Sequence, residues 1–285
     1  MVSKTFKETL FKSDFFKSLF DLIGGLMKYI NKEKLNEFKD LKNNDYFVIT
    51  DFDHTLTTPK SETSVGLIPH YVGGELLIKR TKIFEFYRPL ELDYTINAED
   101  KKKIMKEWAQ KSFQLLSDYI TEDNIEKAVE NANIYLRSGV KEFFKEMYNK
   151  NIPVIVMSSG MGNVVKRFLE KENCSFSNMT IVSNFFEFKN GKASINLDNV
   201  MATSNKEYIR IPENVRKNIE TKSKALLFGD LIEDIKMAKR EKLADTLTFG
   251  FLDENVEKNL ERYKEHFDVI LTDESDFNDV KNILK

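Results

Sequence analysis

Short unbroken apolar runs alternate along the chain with longer stretches in which apolar residues recur every three or four positions. The runs fall at 47–50, 154–157, 181–182, 225–228, 247–251 and 269–272, and each is closed by turn-forming or polar residues. They are rich in β-branched and aromatic residues and do not alternate with polar ones, the pattern of strands buried on both faces. Between them the spacing becomes helical: Val140, Phe143, Phe144 and Met147 precede the second run, and Val164, Val165, Phe168 and Leu169 follow it. The stretch 234–242 also reads as a helix. Strand alternating with helix predicts an α/β fold with a doubly wound parallel sheet.

One interval departs from this rhythm. From Thr58 to Arg137 no strong strand pattern appears, while Ile104, Trp108, Leu115 and Tyr119 share one helical face and Ile125, Val129, Ala132 and Leu136 another. About eighty residues are too many for a bare loop in a compact domain. The expectation is a mainly helical cap at 58–137, inserted after the first strand of a core made of 1–57 and 138–285. Residues 1–40 are expected to be a helical extension, with FKSLFDLIGGLMKYI as an amphipathic helix packed on the body. Lys17, Asp21 and Lys28 interrupt that stretch and no small-residue cleavage site follows it, so neither a bilayer span nor a leader is expected. A cytoplasmic location is the default.

Composition narrows the chemistry. The 285 residues are 41% hydrophobic and 32% charged, with a net charge of −2, which gives no basic field for a nucleic acid polymer. One cysteine, Cys174, allows neither an internal disulfide nor a multi-cysteine zinc site.

In an open parallel sheet, ligands bind beyond the carboxyl ends of the strands. Asp51 and Asp53 stand after the first run, Ser158, Ser159 and Gly160 after the second, and Gly229, Asp230 and then Asp234 after the fourth. Carboxylates drawn into one crevice repel each other unless a cation lies among them, and an oxygen-only set suits Mg²⁺. The SSGMG turn, with its hydroxyls and N–H groups at a helix start, reads as an anion site. Cation, anion pocket and acidic pair together indicate phosphate chemistry.

The segment DFDHT, with Asp51, Asp53 and Thr55, resembles the first motif of haloacid dehalogenase-superfamily phosphatases, Ser158 the second, Lys206 in SNKEY the third, and GDLIED, with Asp230 and Asp234, the fourth. The order VIVMSSGMGNVV, IVSNFFEF, SNKEY, FGDLIEDIKMA, together with the tail FGFLDENVEKNLERYKEHFDVILTDES, is similar to the cytosolic pyrimidine 5′-nucleotidase family. The likeness runs from about Tyr46 to the end and thins over the insert. It implies a Rossmann-like phosphatase core and a Mg²⁺-dependent 5′-nucleotidase for a small nucleoside monophosphate, CMP-like ones favoured.

In that reading Asp51 is the nucleophile that forms an aspartyl-phosphate, and Asp53, kept protonated by its neighbour, is the acid and then the base. Asp51, the Asp53 carbonyl and Asp230 hold Mg²⁺, with Asp234 and Thr55 in support. Ser158, the N–H groups of Ser159 and Gly160, and Lys206 hold the phosphoryl oxygens. The resemblance points YRPLELDYT, and so Glu91, at the amino group of the base. Where the family carries a stacking tyrosine after its Glu-Trp pair, this chain has Ala109, which leaves Trp108, Phe84, Phe86 or Tyr87 as stacking candidates; His70 is expected in a solvated loop. The rival readings are a phosphatase for another phosphomonoester, such as phosphoserine or a sugar phosphate, a receiver-like phosphoacceptor, which the neighbouring acid Asp53 and the large insert disfavour, and a catalytically dead binding protein, disfavoured because every core motif residue is present.

Overall fold

A computed structural model describes residues 27–39, 41–42, 45–93, 95–272 and 275–284. The strands are β1 (Met27–Ile30), β2 (Tyr46–Thr50), β3 (Val154–Met161), β4 (Met179–Asn184), β5 (Glu187–Lys189), β6 (Lys192–Ser194), β7 (Lys224–Gly229), β8 (Thr246–Phe251) and β9 (Val269–Leu271). Seven of them form one sheet in the order β1-β9-β8-β7-β2-β3-β4, while β5 and β6 make a separate hairpin. All pairings in the large sheet are parallel except β1 with β9. The chain builds outward from β2 through β3 and β4, then crosses to β7 and builds outward on the other side. The strand order therefore reverses at β2, and a crevice opens beyond its carboxyl end between β3 and β7.

The continuous apolar runs have the expected cause. In β2, Tyr46 and Val48 belong to the apolar layer on one face, and Phe47 and Ile49 to the layer on the other. The first layer is closed by helices Val140–Asn149, Gly162–Lys171 and Phe277–Ile283, through Phe143, Phe144, Val164, Phe168, Phe277 and Val280. The second is closed by helices Glu213–Ile219 and Val256–Lys264, through Ile219 and Tyr263.

Between Thr58 and Arg137 the chain forms four helices, Leu67–Val72, Gly74–Glu91, Ala98–Ser117 and Glu122–Glu130. Their apolar residues Leu67, Leu76, Phe113, Leu116 and Ile125 join the first layer. Entry and exit run side by side: Thr57 bridges Leu136, and Glu62 N–H donates to the Asn133 carbonyl at 3.0 Å.

Four local expectations are corrected. Met27–Ile30 is an edge strand, because β9 offers an open ladder to the β-forming Tyr29 and Ile30; the rest of the anticipated amphipathic helix lies outside the described residues. The stretch 234–242 is two 3₁₀ segments, Ile232–Met237 and Arg240–Asp245, separated by Ala238 in an extended conformation (ψ 150°). Ala132 and Leu136 lie beyond the helix that holds Ile125 and Val129, which stops at Glu130. In Ala98–Ser117 the fully buried positions are Lys101, Met105, Phe113 and Leu116; the anticipated face is only half-buried, and its Trp108 lies against the neighbouring helix.

Candidate active site

The first acidic turn is fixed to the sheet as soon as β2 ends. Asp51 N–H donates to the Phe228 carbonyl of β7 at 3.0 Å. The Asp51 carboxylate is buried, and its Oδ1 lies 2.5 Å from Lys206 Nζ. The same ammonium is 2.5 Å from Asp234 Oδ1. Asp234 in turn accepts from the N–H groups of Asp230 and Leu231 through Oδ2, both at 3.0 Å, so it shapes the turn that presents Asp230. Gly229 permits this closeness, since a Cβ there would lie 2.4 Å from that of Asp234. Tyr263 donates to the Asp230 carbonyl at 2.5 Å. Thr55 Oγ1 stands between the turns, 3.5 Å from Asp51 Oδ2 and 3.4 Å from Asp230 Oδ1. One carboxylate oxygen each from Asp51, Asp230 and Asp234 lies within 4.8 Å of the other two.

Burial is the main force raising the pKa values of Asp51, Asp53, Asp230 and Asp234, most strongly that of Asp230, where Asp51 and Asp234 add repulsion. Burial also works against the charge on Lys206, but Asp234 and Asp51 outweigh it and hold the ammonium protonated. One ammonium cannot offset four carboxyl groups, so the rim carries an unbalanced negative field with oxygen donors alone. That donor set fits a hard divalent cation.

Ser158, Ser159 and Gly160 differ in detail from the expected turn. β3 continues through Ser158, Ser159 and Gly160 to Met161, with an irregular register after Met157, and the helix starts at Gly162. The Gly160 N–H is engaged, donating to Ser158 Oγ at 3.0 Å. Asn184, at the end of β4, donates to the carbonyls of Ser159 and Met201, both at 2.8 Å, and accepts from Met201 N–H at 2.7 Å. It thus ties the Ser158 strand end to Met201, in the segment that leads to Lys206.

Asp53 is also set differently from its expectation. Desolvation, rather than the Asp51 charge, is the leading cause of its raised pKa, and Ser64 opposes it with two hydrogen bonds. The turn around it is clamped by Arg137, which donates to the carbonyls of His54 at 2.8 Å, Thr55 at 3.1 Å and Ser275 at 3.1 Å. Arg137 also pairs with Asp253 at 2.6 Å and lies over the Phe251 ring. His54 has a left-handed backbone (φ 62°), which this clamp helps to maintain.

On the insert, Glu91 is buried, paired with Arg88, and accepts from Thr203 Oγ1 of the core at 3.2 Å. Arg88 lies 3.7 Å from Glu254, and further ion pairs join Lys101 to Glu233 (3.7 Å) and Lys102 to Glu207 (2.7 Å). Trp108 stacks on Tyr87, with centroids 5.9 Å apart and planes 7° from parallel, and Phe84 leans on Trp108 at 6.1 Å. Ala109 packs against the core layer, and Phe86 is exposed. His70 is exposed as expected but lies on helix Leu67–Val72 rather than in a loop, paired with Glu62 at 2.6 Å. Cys174 is buried, its thiol pushed up to about 12 by desolvation.

Asp51, Thr55, Lys206, Asp230 and Asp234 thus share one cluster, Asp53 and Ser158 border Gly160, and Glu91 reaches the segment before Lys206. Sequence reasoning missed Ser64, Arg137 and Asn184. In the sequence Arg137 marks only the end of the insert, and Asn184 lies within IVSNFFEF without a role; an asparagine set among strand-forming residues is the signal available for Asn184.

A mostly parallel sheet whose switch point gathers a strand-end aspartate pair, a lysine and a second acidic turn defines a haloacid dehalogenase-type phosphoric monoester hydrolase. The pyrimidine 5′-nucleotidase (UMPH-1) family model matches residues 47–285, and the chain belongs to that family. It is 28% identical over 249 residues to a 7-methylguanosine phosphate-specific 5′-nucleotidase of Homo sapiens, covering 84% of this chain and 83% of that one. The Drosophila melanogaster enzyme of the same description is 28% identical over 240 residues, 80% of this chain and 75% of its own. Among solved structures, cytosolic 5′-nucleotidase IIIB bound to cytidine superposes with a TM-score of 0.83 at 26% identity, covering 94% of this chain and 95% of that one. A substrate-bound phosphoserine phosphatase, at TM-score 0.55 and 21% identity over 86% of this chain and all of that one, shares the fold. Among the described residues, no helix is long and apolar enough to cross a membrane.

Proposed function

We propose that this chain is a Mg²⁺-dependent 5′-nucleotidase that hydrolyses nucleoside 5′-monophosphates through an aspartyl-phosphate on Asp51. The observation that carries the reading is the buried ammonium of Lys206 set between Asp51 and Asp234, with Asp230 close by. Asp51 and Asp230, with the carbonyl of Asp53, would hold Mg²⁺, and Asp234 and Thr55 would support them. When bound, such an ion would supply charge neutralisation for the phosphoryl oxygens.

Asp51 attacks phosphorus as the bond to the ribose 5′-oxygen breaks, and Asp53 gives its proton to that oxygen, releasing the nucleoside. Water then attacks the aspartyl-phosphate, Asp53 takes a proton back, and inorganic phosphate leaves with Asp51 restored. Lys206, Ser158 and the N–H groups of Ser159 and Gly160 stabilise the phosphoryl oxygens. For the Gly160 N–H this means exchanging its bond to Ser158 Oγ for one to the substrate.

Residues 58–137 act as the cap over a core of 1–57 and 138–285. The ion pairs Arg88–Glu254, Lys101–Glu233 and Lys102–Glu207 support this division, since each joins insert to core. Specificity falls to Glu91 and the Tyr87–Trp108 stack. A carboxylate can only accept, so it suits a base with amino donors. Cytosine has one, which keeps CMP as the first candidate. 7-Methyl-GMP is the second: its base carries amino and imino donors, its positive charge suits a carboxylate and an aromatic face, and the relatives act on it by name. The cytosolic neighbour supports a cytoplasmic setting.

Steady-state rates with Mg²⁺ on CMP, UMP, GMP, 7-methyl-GMP and phosphoserine test the assignment. CMP or 7-methyl-GMP leads the panel if it is right; phosphoserine turned over as fast as any nucleotide overturns it.

A further inference from the structure

We propose that Ser64, a residue of the insert, is the positioning residue for Asp53: it fixes the plane of the carboxyl that protonates the leaving oxygen. The inference rests on Asp53 acting as the acid of the reaction. Ser64 is fully buried and holds Asp53 at two points, its N–H donating to Oδ1 at 2.7 Å and its hydroxyl to Oδ2 at 2.6 Å. A two-point hold of this kind removes rotation about the last bond of the side chain, leaving both oxygens at fixed directions relative to Asp51. The same hydroxyl lies against the phosphate-binding strand end. A Cβ on Gly160 would fall 1.9 Å from Ser64 Oγ and 2.9 Å from Asp53 Oδ2. Glycine at 160 is therefore the shape that lets an insert residue reach the acid, a separate requirement from anion binding.

Ser64 is not part of the core turn that carries Asp53. It stands after the paired entry and exit segments of the insert, just ahead of helix Leu67–Val72, whose apolar residues Leu67 and Ile68 are buried in the first layer. The acid is thus aligned by the body that also carries Glu91, and its alignment follows the position of that body.

Alignment of an acid matters in proportion to the leaving group's need for a proton. A ribose 5′-oxygen leaves as a poor alkoxide unless protonated, whereas p-nitrophenolate departs without help. The value of kcat/KM, which reports the first irreversible phosphoryl transfer, is therefore to be compared for p-nitrophenyl phosphate and for CMP or 7-methyl-GMP, whichever is faster, with the Mg²⁺-loaded full chain. Ser64→Ala is expected to lose about 10- to 100-fold on the nucleotide, part of what a general acid contributes, and only about two-fold on the aryl ester. Ser64→Cys, which keeps the shape with a weak donor, shows the same selectivity at smaller size and serves if Ser64→Ala does not fold. Asp53→Asn sets the reference. Equal losses on both substrates for the Ser64 variants, or no loss on either, overturn the proposal while Asp53→Asn remains selective. If Asp53→Asn is itself unselective, the acid reading fails first.

Discussion

The strand-end rim and the inner end of the insert are both charged and both partly buried, yet their charges are arranged in opposite ways. At the rim, Asp51, Asp53, Asp230 and Asp234 face one ammonium, and burial raises the pKa of each carboxyl. At the insert, Glu91 has a cationic partner in Arg88 and a hydroxyl donor in Thr203. A protein keeps an unbalanced buried cluster only where something else completes it. In the proposed function a cation and a phosphate complete the rim, whereas Glu91 on the insert already has both partners and can exchange one donor for another. On that reading the contrast divides a region for the chemistry from one that selects what the chemistry acts on.

The largest effect that bears on this contrast is expected from Asp51→Asn. It removes the proposed nucleophile while keeping the shape, and turnover of every phosphomonoester should fall by on the order of 10⁴-fold or more. Retained activity in a purified, folded variant would remove Asp51 from its role. Chelation should have a comparable effect on all substrates alike, reversed by added Mg²⁺; activity unchanged after exhaustive chelation and dialysis would mean that the rim is completed in some other way.

Arg137→Ala comes next and is read as stability. It removes a donor from the Asp253 carboxylate and from three carbonyls, a loss of about 3–5 kcal/mol in denaturant unfolding. Arg137→Lys should recover little, because an ammonium cannot reproduce the planar fork that spans His54, Thr55 and Ser275. A loss below about 1 kcal/mol would show that the DFDHT turn holds its own conformation without the clamp.

The unequal legibility of the two regions has the same physical origin. The strands could be read because both faces of the sheet are covered, so a run such as Phe47, Val48 and Ile49 needs no polar position. The acidic turns could be read because a strand that ends in carboxylates has few other uses. Lys206 could not be found by pattern: it follows a 3₁₀ segment in a lysine-rich chain, and only the family resemblance singled it out. Ser64 and Arg137 were hidden because their function lies in bonds to backbone or side chains far along the chain, 83 residues in the case of Arg137 and His54. The helix expected over 234–242 failed for a related reason. Asp234 accepts from the Asp230 and Leu231 N–H groups in a tight turn, and that tertiary demand overrode a helical pattern.

Lys206→Ala probes the rim from its positive side. Without the ammonium, Asp51 and Asp234 repel each other across the site, and the charge that spreads over the transferring phosphoryl group loses a donor. A fall in kcat of about 10²–10³-fold is expected on every substrate. If the loss differed strongly between nucleotide and aryl phosphate, the rim would be reading the base, and the division between the two regions would not hold.

The smallest expected effect is the most diagnostic. Glu91→Gln keeps size and hydrogen-bonding reach, can still accept from Thr203, and removes the charge that pairs with Arg88. On CMP or 7-methyl-GMP it should cost about 1.5–3 kcal/mol in kcat/KM, the range for a hydrogen bond to a charged group, which is roughly a 10- to 150-fold loss. On p-nitrophenyl phosphate, which offers no base, the loss should stay within about two-fold, since Glu91 lies on the insert and bonds to Thr203 rather than to any of the rim carboxylates. 7-Methyl-GMP should suffer more than CMP, because its cationic base loses an opposite charge as well as an acceptor. Should the aryl ester lose as much as the nucleotides, Glu91 is serving closure of the insert through Arg88 and Thr203, and recognition of the base must then rest on the Tyr87–Trp108 stack.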